Sequence, residues 1–165
     1  MGDISDEIRG LPVDPDIEVP QPAPPLGTLL RAHGDLLPWI GAGGAAGSLA
    51  RWGVERAVTG SSYPWATFLV NVSGCLLIGV LMAFVLDVWA DRRYLRPLLG
   101  VGFLGGFTTF STFVLETRDL ATASHGLLAL GYVVASTSGG LAAALVGLVG
   151  GRAAIDRVRA EAVEG

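Results

Sequence analysis

The residues most able to act on an ion lie in one apolar segment, 102–116. Two adjacent glycines there, Gly105 and Gly106, precede four hydroxyl side chains within five positions: Thr108, Thr109, Ser111 and Thr112. Glycine costs a helix about 1 kcal/mol relative to alanine, and Ser and Thr compete for backbone hydrogen bonds. We therefore predict a helix interrupted near mid-membrane, where freed carbonyls must meet protein, water or an ion. The alternative is an intact helix whose hydroxyls bond back to their own carbonyls.

Aromatic rings and one amide supply groups that can interact with an anion. Phe110 and Phe113 are three residues apart and share a helix face. An aromatic ring has a negative face and a positive edge, so ring edges along a narrow path favour an anion without a trapping charge. Asn71, in a second apolar segment, offers two donors and one acceptor. Lipid or core packing of the rings, and an inter-helix hydrogen bond from the amide, are the alternatives.

Four more polar residues are candidates because polar groups are costly in hydrocarbon. Glu116 either borders the path or is a solvated carboxylate at the interface. Tyr132 and Ser136 are four residues apart and share one face of the last apolar segment. Arg51 either attracts anions to a vestibule or extends to the lipid headgroups.

The elements that must position these residues are four apolar segments, at about 36–58, 64–86, 98–115 and 125–150. Each is close to the roughly 20 residues that a spanning helix needs. Half of the chain is hydrophobic (51%) and only 16% is charged, against about 25% in soluble domains. We therefore predict an all-α integral membrane protein whose four transmembrane helices occupy residues 37–151. Four short helices can hardly enclose a conduction path, so we expect at least a dimer.

Charge and proline define the ends of the chain. Residues 1–36 hold six of the nine prolines and seven acids against two arginines, which is typical of a disordered extension. They lack the pattern of a signal peptide. Residues 152–165 form a short cytoplasmic tail. With four spans, one side of the cell membrane receives seven arginines and the other two or three, so we expect both termini in the cytoplasm.

The rest of the composition excludes several classes of protein. One cysteine and two histidines leave no disulfide scaffold, CxxC metal site or catalytic triad, so we do not expect an enzyme. No basic patch with interleaved aromatics points to nucleic acid. Glycine pairs four apart, as at Gly43 and Gly47, allow close helix packing, either within one subunit or at an oligomer seam.

Four segments, in this order, resemble the Fluc (CrcB) family of fluoride channels. They read GGAAGSLARW at 43–52, ATFLVNVSG at 66–74, GFLGGFTTFSTF at 102–113 and YVVAS at 132–136. The resemblance implies an antiparallel dimer of four-helix subunits with two pores along the interface. It also implies passive export of F⁻ down its electrochemical gradient, which relieves fluoride toxicity.

The resemblance also implies roles for individual residues. Asn71 would donate to fluoride, Phe110 and Phe113 would be the ring pair, and Arg51 would lie at an entrance. The remaining pore residues would be Ser111, Thr112, Glu116, Tyr132 and Ser136. The carbonyls of Gly105 and Thr108 would hold a structural, untransported Na⁺ at the dimer centre. One departure is Gly140, which stands one turn beyond Ser136 where the family often has a hydroxyl.

Two other functions compete with a fluoride channel. A small four-helix exporter of cationic drugs needs a carboxylate deep in a span, and the first two spans have none. A non-transporting membrane assembly subunit would explain the glycine pairs but not the ordered polar residues. The arginine bias adds one expectation: because an antiparallel dimer needs both orientations, a chain with a preferred orientation requires a related partner inserted the opposite way.

Overall fold

The computed structural model describes residues 33–60, 63–88 and 92–164, together with residues 25, 27 and 28. Most of the predicted disordered extension, 1–36, therefore lies outside the described residues. The chain divides into two units, Met1–Ala32 and His33–Gly165, and the fold described below is that of the second. Within the described ranges all regular secondary structure is helical.

Five helices follow a short 3-10 turn at Gly34–Leu36. Helix α1 is Leu37–Ala57 and helix α2 is Trp65–Asp87. Helix α3 is a π-helical segment, Arg96–Leu104, continued by the α-helical turn Gly105–Phe107. Helix α4 is Phe110–Thr122 and helix α5 is Gly126–Glu164. A proline lies in the first turn of both α1 and α3, where its missing N–H would have no intrahelical partner anyway.

Among the described residues, three helical stretches are long and apolar enough to cross a membrane: Trp65–Val85, Arg96–Thr122 and Gly126–Ala162. These stretches identify an integral membrane protein. Helix α1 has 21 residues but is not among them, and it carries Arg51, Glu55 and Arg56 in its last two turns. The predicted fourth span therefore stays a prediction.

Helix α5 is longer than a bilayer requires. Its 39 residues extend roughly 58 Å at about 1.5 Å per residue, against a hydrocarbon core of about 30 Å. The predicted C-terminal tail, 152–165, is therefore a continuation of this helix through Glu164.

Glycines bring two pairs of helices into backbone contact. On α1, a Cβ at Gly43 or Gly47 would overlap the backbone of α3, at Leu98 and Phe103 respectively. On α5, a Cβ at Gly147 would overlap the carbonyl of Leu76 on α2. The prediction of glycine packing within one subunit is thereby confirmed. Many apolar side chains outside these seams are exposed, such as Leu127 at 86%, as expected of a surface that faces lipid.

Replacing Gly47 by alanine tests this packing. The added methyl group cannot avoid the Phe103 carbonyl without separating α1 from α3, and we expect a loss of about 1–3 kcal/mol of stability. The measurement is the thermal unfolding midpoint in detergent. Gly41→Ala is the matched control on the same helix, because a Cβ at Gly41 meets nothing within 4 Å. Equal midpoints for the two variants would contradict the close α1–α3 contact.

Candidate functional site

The interruption predicted in the third apolar segment is present between α3 and α4. Thr108 (φ −79°, ψ 156°) and Thr109 (φ −143°, ψ 123°) are extended, and the helix resumes at Phe110. The break comes after the two adjacent glycines, at Thr108 and Thr109. Gly105 and Gly106 stay helical, and Gly106 packs against the backbone of Gly44 on α1.

Asn71 on α2 holds the broken segment in place. Its Oδ1 accepts the backbone N–H of Thr109 at 2.9 Å, and its Nδ2 donates to the carbonyl of the same residue at 2.9 Å. The inter-helix hydrogen bond that was one alternative for this amide is therefore confirmed. A primary amide has a second N–H, and Asn71 also lines a cleft. The same side chain can therefore hold the broken segment and still offer a donor to the cleft.

The break diverts two backbone donors from the carbonyls where they would bind in a continuous helix. There, the N–H of residue i bonds the carbonyl of residue i−4, so Thr109 would bond Gly105 and Thr112 would bond Thr108. Instead, Thr109 N–H donates to Asn71, and Thr112 N–H donates to Thr109 Oγ1 at 3.2 Å. The carbonyls of Gly105 and Thr108 each lose their helical donor. The space around Gly105 is open, with nothing within 4 Å of a Cβ position.

A cleft of about 460 Å³ lies beside the break, between α2, α3, α4 and α5. Six of the predicted site residues line it: Asn71, Gly105, Thr108, Phe110, Phe113 and Ser136. The rings of Phe110 and Phe113 are 6.0 Å apart between centroids, and Phe110 is 77% exposed. The Ser136 hydroxyl oxygen is buried and has no hydrogen-bond partner in the part of the chain that the structure describes.

Glu116 joins three helices through its carboxylate. One oxygen accepts the hydroxyl of Thr67 on α2 at 2.8 Å, and the other accepts the hydroxyl of Tyr132 on α5 at 2.8 Å. Thr67 is 2% exposed and Tyr132 is fully buried. Glu116 is therefore not a free, solvated carboxylate. Thr67 was not among the site residues predicted from the sequence, although it lies one turn before Asn71 on the same face of α2.

Aromatic rings continue the wall of the site away from the break. The Phe113 ring lies 5.2 Å from that of Tyr132, which lies 5.4 Å from Tyr63 in an edge-on arrangement. Tyr63 belongs to the connection between α1 and α2. Burial raises the pKa of its hydroxyl above the ordinary value, so Tyr63 is neutral at physiological pH.

Five predicted site residues do not line the cleft: Glu116 and Tyr132, described above, and Arg51, Ser111 and Thr112. Arg51 donates through Nε to the carbonyl of Gly106 at 3.3 Å and pairs with Glu55 at 3.2 Å, which fastens α1 to α3. Thr112 Oγ1 accepts a hydrogen bond from Thr109 Oγ1 at 2.9 Å, and Ser111 Oγ lies 3.4 Å from the same hydroxyl. The two residues of α4 thus belong to the cap of that helix.

Comparisons with known proteins all match the chain to one family. The family model described as CrcB-like protein, Camphor Resistance (CrcB), matches residues 38–148. The chain is 46% identical over 110 residues to a Nocardia farcinica protein named fluoride-specific ion channel FluC 2, covering 66% of this chain and 79% of that protein. It is 47% identical over 105 residues to the fluoride-specific ion channel FluC of Chlorobaculum tepidum, covering 62% and 83%. It is 40% identical over 129 residues to FluC 3 of Streptomyces avermitilis, covering 77% of this chain and 63% of that protein.

Substituting Asn71 by aspartate tests its hold on the break. One carboxylate oxygen can still accept the Thr109 N–H, but the other would face the Thr109 carbonyl oxygen where Nδ2 now donates. We expect a loss of about 1–3 kcal/mol, as for a buried acceptor left without a donor, measured by thermal unfolding in detergent. Ser73→Ala is the control, because Ser73 on the same helix bonds only carbonyls of α2. An unchanged midpoint for the aspartate variant would remove Asn71 from this role.

Proposed function

The chain belongs to the CrcB-like family, and from this membership we propose that it is a fluoride-selective, passive ion channel of the cell membrane. The observation that carries the proposal is the cleft at the helix break. Its wall combines an amide, hydroxyls and two phenylalanine rings. The relatives named above as fluoride-specific channels support the choice of ion.

The chemistry of the cleft suits a small, strongly hydrated anion. A path for such an ion must replace water by hydrogen-bond donors and still release the ion. Asn71 and Ser136 supply neutral donors, and the ring edges of Phe110 and Phe113 supply weak positive potential. The guanidinium of Arg51 is held against Gly106 and Glu55, so it adds no trapping charge to the cleft. Fluoride that enters as HF and dissociates would leave passively, down its electrochemical gradient.

We propose that two such subunits, each with α1 as a fourth span, form the conduction path as an antiparallel dimer. In one subunit the cleft lies open and Phe110 is 77% exposed. An aromatic side chain this exposed at the wall of the cleft is well placed for contact with a second chain. The open space around Gly105 is consistent with the same interface.

A structural Na⁺ at the dimer centre would be held by the carbonyls of Gly105 and Thr108. The fit rests on the two helical donors that the break takes from these carbonyls. Oxygen ligands suit a hard cation. When bound, the ion would neutralise carbonyl dipoles from both subunits and link them, without being transported.

Fluoride efflux from proteoliposomes made with the chain and the partner that copurifies with it tests the function, with chloride as the control anion. We expect rapid release of fluoride and none of chloride. Phe110→Leu should lower fluoride efflux by about tenfold or more, because an aliphatic side chain has no positive ring edge. The fold should survive, since this ring is mostly exposed. Chloride release as fast as fluoride release would contradict the assignment, and full flux in the Phe110 variant would remove that ring from the path.

The orientation of the subunits follows from the arginines. The end of the fold formed by the α2–α3 connection and the C-terminal part of α5 carries six of them: Arg92, Arg93, Arg96, Arg152, Arg157 and Arg159. The positive-inside rule places this end in the cytoplasm. Because an antiparallel dimer also needs the opposite orientation, we propose that the partner is a related chain inserted the other way.

Tags on both termini test this orientation in whole cells. We expect proteolysis from outside to spare both tags, because one orientation dominates. The control is the same chain with the six arginines of that end replaced by glutamine, which should insert both ways. Equal populations of inside and outside termini in the unaltered chain would instead indicate a dual-topology homodimer.

A further inference from the structure

A separate cavity of about 310 Å³ lies between the start of α1 and the α2–α3 connection. It shares no lining residue with the cleft at the helix break. One apolar stretch ends nearby at Val85 and the next begins at Arg96, so the cavity lies at the level where hydrocarbon meets water. Its wall consists of two arginines, two amphipathic rings and two leucines: Arg92, Arg93, Trp39, Tyr94, Leu95 and Leu98.

The carboxylate of Asp35, in the turn before α1, connects the two sides of this cavity. Its Oδ1 accepts a hydrogen bond from Nη2 of Arg93 at 2.9 Å, and its Oδ2 accepts the hydroxyl of Tyr94 at 3.0 Å. The Tyr94 ring lies 5.6 Å from that of Trp39 on α1. One turn further along α1 begins the glycine contact with α3 described above. The start of α1 is therefore attached to the connection and to α3 on either side of the cavity.

Arg92 brings a positive charge to the cavity that no described residue balances. Asp35 neutralises Arg93, whereas Arg92 is exposed, lines the cavity and has no ion pair within the ranges that the structure describes. Arg96, in the first turn of α3, is also exposed and has no ion pair there. Asp91 lies outside the described residues. A guanidinium matches the geometry of a phosphate with two parallel hydrogen bonds, so this wall favours a phosphate-containing anion.

The rest of the wall suits the part of a lipid that lies below its phosphate. Trp and Tyr are enriched at membrane–water interfaces, where an apolar ring meets polar headgroups. Trp39 is 46% exposed and Tyr94 is 42% exposed, so both rings are open to a ligand. Leu95 and Leu98 are half-buried in the wall and give the cavity an apolar side. A ligand that combines a phosphate with hydrocarbon matches all of these groups, and free phosphate matches only the arginine.

We propose that this cavity binds one anionic phospholipid, with Arg92 on the phosphate and the acyl chains against Leu95 and Leu98. Basic pockets between transmembrane helices on the cytoplasmic side bind anionic headgroups in other membrane proteins, and the orientation proposed above places this end in the cytoplasm. The bound lipid would join the α2–α3 connection to α1, the long helix that is not among the three apolar stretches. The site is independent of the ion that passes through the cleft.

Native mass spectrometry of the detergent-solubilised protein, with any partner chain that copurifies, measures lipid binding. Dioleoyl-phosphatidylglycerol is the anionic probe, and dioleoyl-phosphatidylcholine is the probe without net charge. We expect the first phosphatidylglycerol to bind at least about fivefold more tightly than phosphatidylcholine, which is the contribution of one arginine beside an anionic lipid. Arg92→Gln should weaken phosphatidylglycerol binding by about the same factor and leave phosphatidylcholine binding unchanged. The fold should survive, because this side chain is exposed.

Arg118→Gln is the matched control, because it removes the same charge from an exposed position of α4 outside this cavity. It should leave phosphatidylglycerol binding unchanged. Glycerol 3-phosphate, which has the phosphate but no acyl chains, should not displace the lipid. Equal losses in the two arginine variants would reveal a general attraction to positive charge and overturn the site. Displacement by glycerol 3-phosphate would assign the cavity to a free phosphate instead. Equal binding of the two lipids by the unaltered protein would also overturn the proposal.

Discussion

The paired hydrogen bonds between the Asn71 amide and the backbone of Thr109 are the interaction on which the site depends. Inside a membrane, each backbone N–H and C=O must find a partner within the protein, since an unsatisfied group costs several kcal/mol. The break leaves Thr109 outside any helix, and one side chain supplies both of its missing partners. The direction of α4 follows from this link, and so do the positions of Phe113 and Glu116 on it.

The link requires α2 and the break to lie close together, and small residues make that possible. A Cβ at Gly74, three residues after Asn71, would overlap the side-chain methyl group of Thr108. On the other side, α3 packs backbone to backbone against α1, where Arg51 and Ser48 both donate to the Gly106 carbonyl. The break is therefore held from two sides. Glu116 adds a third restraint further along α4, through Thr67 and Tyr132.

The sequence showed which residue types could form the site, but it did not show which residues they contact in the fold. Adjacent glycines followed by hydroxyl residues predict a broken helix correctly, but composition alone cannot place the break. Gly105 and Gly106 remain helical, and the packing of Gly106 against α1 is a tertiary contact that composition does not reveal. For the same reason, the sequence does not show that the guanidinium of Arg51 fastens two helices. The sequence could not decide whether Glu116 borders the path or is solvated, because neither Thr67 nor Tyr132 is near it in sequence. Thr67, Asn71 and Cys75 are spaced four residues apart on α2, and this spacing could have indicated which face of α2 borders the site.

The scarcity of charge in the cleft bears on how the proposed channel could discriminate between anions. A fixed cation attracts every anion, so it raises affinity and does little for selectivity by size. Neutral donors act at hydrogen-bond distance and favour the anion that can approach most closely. The structure places Arg51, the one cation near the break among the described residues, against a carbonyl and a carboxylate. It leaves the Ser136 hydroxyl buried beside the cleft. The described residues that line the cleft thus combine short-range hydrogen-bond donors with no strong charge. Selective but brief binding of a small anion requires this combination.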